Sequence, residues 1–236
     1  VTLEDGSVGR GAAPAGASRG TEEATEFRDG GNRLAGLDVS QALDIVNGII
    51  ATALTGMDSS SQQDIDERLL ELDPTPTKTI LGGNAMIAVS LATLNAAAAS
   101  HRVPLWKYIA GDAIVSLPLP EIQIFGGGAH ADRRVDIQDY MVMPLSAETF
   151  DQALQMTAEV YRVAGEIMSD EGKRTGVADE GGWWPNFDTN EEGLEMLVRT
   201  IEKAGFTPGE DLGISLDVAG SEFGKEGTYK LGLEGR

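Results

Sequence analysis

Apolar positions in the first hundred residues fall mainly at helical spacing, whereas beyond residue 118 strand-like and helix-like runs alternate. The opening residues predict a hairpin, two β-forming runs around an Asp5-Gly6 turn, leading into a Gly/Ala/Ser loop that ends near Gly20. Ser40 caps a segment in which Leu43, Val46, Ile49, Ile50, Ala53 and Leu54 share one face. The run "SQQDIDERLLELD" predicts a shorter helix, stopped by Pro74 and Pro76. An alanine-rich helix then reaches about Ser100. Its apolar stretch, interrupted by Ser90 and Asn95, is too short to span a bilayer.

After Pro118 the pattern changes. Residues 118–125 and 135–143 read as short strands, "TFDQALQMTAEVYRVAGEIMSDEG" as a long amphipathic helix and "RTGVAD" as a short strand. Thr189 or Asn190 caps a helix carrying Leu194, Leu197, Val198 and Ile201, and "LGISLDVAG" reads as a buried strand. Such alternation predicts βα units of a parallel sheet or barrel. The expected class is α/β: an α+β domain over residues 1–112, then the first part of a (β/α) barrel over 113–236.

Composition narrows the partners. Thirty-eight acidic against 18 basic residues give a net charge of −20, which argues against nucleic acid and anionic membranes. An acidic protein still binds an anionic metabolite when divalent cations lie between them. The absence of cysteine removes disulfides and thiolate metal sites and fits a reducing cytoplasm.

Polar residues recur where strands are expected to end: His130 after three glycines, Gln138 and Asp139 in "VDIQDYMVMP", Asp179 and Glu180 in "GVADEGGWWPN", and Asp217 in "ISLDVAGSEF". In a barrel such ends converge on one mouth. Each also has a plainer reading alone. Aspartates at strand ends cap helices and turns, glycine-rich loops simply turn, and indoles fill cores.

Taken together, these stretches resemble enolase, the magnesium-dependent phosphopyruvate hydratase, over essentially the whole chain. "LEDGSVGRGAAPAGASRGTEEATEFRDGG" resembles its N-terminal domain and mobile loop. "GGGAHADRRVDIQDYMVMP", "VADEGGWWPN" and "TNEEGLEMLVRTIEKAGFTPGEDLGISLDVAGSEF" resemble successive barrel segments in order. The resemblance implies that Asp217 is a Mg²⁺ ligand and that Ser18 closes onto a second Mg²⁺. It implies that Glu180 is the acid assisting departure of hydroxide, in a buried and crowded setting. His130 is expected near the substrate phosphate, Gln138 on the same mouth, and the indoles and Pro185 as its walls. A homodimer or larger homo-oligomer, acting on a small phosphorylated hydroxy acid, is the expected assembly.

Several positions depart from the family pattern. Asp139 stands where glutamate is usual and Arg19 where threonine is usual. Ala15 replaces a serine, Gln123 and Gly126 replace asparagines, and Trp183-Trp184 replaces a smaller pair. Arg19, Asp139 and their neighbours therefore also fit a paralogue dehydrating a phosphonate or related phosphorylated substrate. The family's opening strand, its lysine base and its remaining metal ligands are absent from the sequence, so the expectation is a fragment without activity of its own. A truncated, non-catalytic binding protein is the third reading.

Overall fold

The computed structural model describes residues 1–16, 19–131, 135–232 and 235. The Ser18 expectation lies outside them, as does the side chain of His130. The chain divides into two compact units; residues 22–115 join the opening segment in the first, and residues 19–21 group with 116 onward in the second.

In the first unit the predicted hairpin is reduced to one antiparallel bridge, Thr2 to Val8. Helices follow: α1 (Ser40–Ile45), a π turn (Val46–Ile50), α2 (Ala51–Leu54), α3 (Gln62–Leu72), α4 (Gly83–Ser100) and α5 (Leu105–Ala110). The π turn corrects the predicted face. It winds the chain wider than 3.6 residues per turn, so contacts with the core recur every four residues, at Ala42, Val46, Ile50 and Leu54. Leu43 and Ile49 consequently face outward. Ile65, Leu69, Leu81, Ala85, Met86 and Val89 complete this core.

The second unit is built on one mixed sheet. Its strands are β1 (Ile122–Gly126), β2 (Asp139–Pro144), β3 (Arg174–Val177), β4 (Trp183–Pro185) and β5 (Leu212–Asp217), in the order β3-β4-β1-β2-β5. Helices α6 (Phe150–Asp170) and α7 (Asn190–Lys203) supply the apolar cover, packing Val160, Ala164, Met168, Leu197 and Ile201 with Ile124, Phe125, Tyr140 and Val142 of the sheet. A small hairpin, β6 (Gly224–Lys225) with β7 (Thr228–Tyr229), follows β5. Thr149 and Thr189 cap α6 and α7, each hydroxyl accepting a backbone N–H at 3.1 Å.

The all-parallel expectation fails at β2. This strand runs antiparallel to both β1 and β5, while β1 and β4 are parallel. Among the described residues between β1 and β2 there is a 3-10 turn (Gly128–Ala131) and no longer helix. Without a crossover helix, the hairpin solution is the one available. The buried β5 expected from sequence is an edge strand instead, with Leu212 buried but Ile214 exposed. Among the described residues the sheet does not close.

Candidate active site

The reversal of β2 decides what the sheet gathers at one end. Because the strand points the other way, its first residue, Asp139, pairs in register with Gly126 at the end of β1 and with Asp217 at the end of β5. Gln138 lies just before β2 rather than inside it. Its backbone N–H donates to the Asp217 carbonyl at 3.1 Å, and its carbonyl accepts from Gly127 N–H at 2.6 Å.

This segment is held from behind. The Asn190 carboxamide oxygen accepts the N–H groups of Asp136 and Ile137 at 3.0 and 3.1 Å. Tyr140 donates its hydroxyl to the Asn190 carbonyl at 3.1 Å. Asn190 was expected only as an alternative cap for α7. Thr189 does the capping, which leaves Asn190 to fix the approach to Gln138 and Asp139.

Two carboxamides then link three carboxylates. Gln138 Nε2 donates to Asp139 Oδ2 and to Asp217 Oδ2, both at 3.2 Å. Gln123 Nε2, from β1, donates to Asp139 Oδ1 and lies 3.4 Å from Glu180 Oε2. Gln123 Oε1 accepts Gly182 N–H at 2.7 Å. Asp217 Oδ1 also accepts Ala219 N–H at 3.0 Å. The order across the sheet end is thus Glu180, Gln123, Asp139, Gln138, Asp217. Asp139 and Gln138 are buried, whereas Glu180 and Asp217 are exposed. The buried setting expected for Glu180 is therefore corrected: it sits with Asp179 in the tight turn between β3 and β4, where both side chains reach solvent.

The indoles do not all line this mouth. Trp183 stacks on Tyr161 of α6, ring centres 4.7 Å apart, and donates its indole N–H to the Tyr161 carbonyl at 2.8 Å. The Arg174 guanidinium covers the ring at 4.9 Å. Trp183 thus fastens the sheet to a helix, because strand alternation turns it toward α6. Arg19 is exposed, in the short segment that groups with this unit. A cavity of about 790 Å³ is lined by Ile137 and Val218, the sequence neighbours of Gln138 and Asp217, with Leu194, Phe223 and Tyr229. Its mostly apolar wall suits a phosphorylated anion poorly.

Sequence reasoning undervalued Gln123. It was visible there only as a departure from asparagine, with nothing to connect it to residues 16 and 57 positions away. Among the described residues no group of three acidic or histidine side chains is arranged to hold a metal ion. The donor set still fits a hard cation in kind, since every candidate offers oxygen and thiols are absent. No helix among the described residues is long and apolar enough to cross a membrane.

The fold and this acidic sheet end define a barrel-type α/β unit that gathers carboxylates at one end of its sheet. Comparison with known proteins agrees: the family descriptions "Enolase, N-terminal domain" and "Enolase, C-terminal TIM barrel domain" match residues 1–109 and 114–236. The chain belongs to the enolase family. Enolase 1 of Desulfitobacterium hafniense (strain Y51) is 50% identical to it over 237 aligned residues, 99% of this chain and 54% of that protein. The chain thus spans about half the length of this curated relative. Its architecture is an enolase N-terminal domain followed by an unclosed portion of the TIM barrel.

Proposed function

We propose that the intact protein is a Mg²⁺-dependent hydro-lyase that reversibly dehydrates 2-phosphoglycerate to phosphoenolpyruvate. One observation carries the reading: a sheet end where Asp139, Glu180 and Asp217 are linked through two carboxamides, in a chain half identical to a protein named Enolase 1. Bound Mg²⁺ would supply the positive charge that lets a carboxylate accept a second negative charge when its α-proton leaves. Asp217 would serve as one of its ligands. Ser18, from the loop, would serve as another.

The chain's own residues act on the leaving side. After a general base takes the α-proton, Glu180, exposed in its turn, gives a proton to the β-hydroxyl; the electron pair left at the α-carbon forms the C=C bond, the C–O bond breaks with its pair going to oxygen, and water departs. Asp139 and Gln138, both buried, fix the position of the hydroxyl-bearing end, and His130 would stand by the same group. Arg19 would contact the phosphate of the substrate. The same reading places the protein in the cytoplasm, in glycolysis, as a homodimer or larger homo-oligomer.

The shortened Asp139 carboxylate and the extra cation at Arg19 favour a second reading, a related phosphonate or phosphorylated hydroxy acid as substrate. Purified intact protein incubated with 2-phosphoglycerate and Mg²⁺ separates the two. Growth of the enol absorbance, abolished by chelator, is the expected result. Silence with 2-phosphoglycerate but turnover of a phosphonate hydroxy acid shifts the assignment to the second reading. Silence with both overturns hydro-lyase activity altogether.

A further inference from the structure

We propose that Gln123 is the positioning residue of this site, setting the separation between Asp139 and Glu180; the inference rests on the hydro-lyase reading above and names a residue which that reading does not need. A single carboxamide on β1 here addresses β2 and the β3–β4 turn together. Its NH₂ faces two carboxylates, on Asp139 and Glu180, and its oxygen receives the Gly182 N–H. Chemistry fixes the orientation of the amide. Flipped, it would aim its oxygen at two anions and its NH₂ at another N–H donor.

The surroundings leave room for this group and little else. A Cβ on Gly182 would lie 2.5 Å from Gln123 Oε1, and one on Gly126 would lie 2.4 Å from Ala178 Cβ and 3.1 Å from Gln123 Nε2. Both neighbours are glycine, so the amide can lie flat against the backbone of the turn that carries Glu180. Gln138 performs the matching task on the other side of Asp139, toward Asp217. Through its oxygen and its nitrogen alike, Gln123 ties the turn that carries Glu180 to Asp139 on β2. Without it, Asp139 would keep only the amide of Gln138 of this pair, and the β3–β4 turn would lose the acceptor of its Gly182 N–H. A displacement of about 1 Å in a reacting group is enough to cost on the order of a hundredfold in rate.

The side-chain lengths sharpen the point. Gln123 is one methylene longer than asparagine and Asp139 one methylene shorter than glutamate, and the two meet end to end. Gln123→Asn combined with Asp139→Glu moves that methylene across the bond while keeping the total length.

The experiment uses the intact protein. Gln123→Ala is expected to lower kcat about a hundredfold while KM moves less than about threefold, the signature of lost alignment rather than lost binding. Gln123→Asn alone is expected to behave similarly, and Gln123→Asn/Asp139→Glu to recover at least about tenfold over it. A kcat for Gln123→Ala within twofold of the parent, or a double variant no better than Gln123→Asn, overturns the inference. If the parent itself turns over neither substrate, the functional reading fails, and thermal melts decide for Gln123. Non-additive shifts for Gln123→Ala and Asp139→Ala would then retain it as the residue setting this cluster; additive shifts would overturn it.

Discussion

Asp73 in the first unit and Asp139 in the second are both buried, at 0% and 4% exposure, and they are stabilised in opposite ways. Asp73 is served by its own neighbourhood. It accepts the N–H groups of Thr75, Ile80 and Leu81 at 3.1, 2.9 and 2.8 Å, together with the Thr75 hydroxyl. Asp139 instead depends on the side-chain amides of Gln123 and Gln138, each of which also contacts another carboxylate. A buried carboxylate saturated by the backbone latches a turn in place. One that shares its donors with two other anions draws negative charge together, an arrangement that lowers stability until a cation arrives. The first holds a turn, and the second gathers carboxylates at one end of a sheet.

The largest expected contrast comes from breaking each aspartate in turn. Asp139→Asn should lower turnover on the order of a hundredfold, the cost of misplacing the reacting end, without lowering the melting point. Asp73→Ala should reverse the pattern. Three backbone donors lose their acceptor inside the fold, at a cost of about 2–4 kcal/mol, while the molecules that remain folded keep kcat within about twofold. Steady-state kinetics and denaturant melts on both variants read out the two halves.

Changing pH sharpens the same contrast. Burial alone would raise the Asp73 carboxyl, but hydrogen bonds from Leu81, Thr75 and Ile80 outweigh it and hold the group below the ordinary aspartate value. The folded state therefore binds this proton less readily than the unfolded chain. The resulting stabilisation is complete above about pH 4 and drains away as pH falls through the folded-state value. Melts between pH 5 and pH 2 should show a steeper acid loss for the parent than for Asp73→Asn. Equal slopes would mean that Asp73 is not the latch.

A smaller effect probes the scaffold behind the acidic end. A methyl group on Gly165 of α6 would lie 2.5 Å from Trp183 Cζ2. Gly165→Ala should therefore cost about 1–3 kcal/mol by overpacking, visible in thermal melts, and Trp183→Phe in the same background should return part of it.

Much of this was legible in the sequence wherever information is local. Helices α4 and α6 follow from their apolar runs and α7 from apolar spacing and a threonine cap, whereas Ser40, expected as a cap, lies inside α1 without a side-chain cap bond; the polar strand ends marked Asp139, Glu180 and Asp217 as candidates. What escaped reading was long-range. A strand pattern carries no direction, so the reversal of β2 that brings Asp139 beside Asp217 was invisible. The π turn broke a face predicted from a 3.6-residue period. Trp183 looked like a wall of the mouth because its parity on β4 depends on the turn before it. Gln123 and Asp139 were two separate departures from the family pattern until the sheet brought them into contact.

The most direct test concerns magnesium and the outermost carboxylate of the set. Mg²⁺ is titrated into turnover assays of 2-phosphoglycerate by the intact parent, by Asp217→Asn and by Asp73→Asn as the scaffold control. The account predicts at least a hundredfold loss for Asp217→Asn that added Mg²⁺ only partly recovers, with the Asp73→Asn curve lying on that of the parent. An Asp217→Asn protein that turns over at the parent's rate and magnesium requirement would contradict the claim that this acidic sheet end holds the metal.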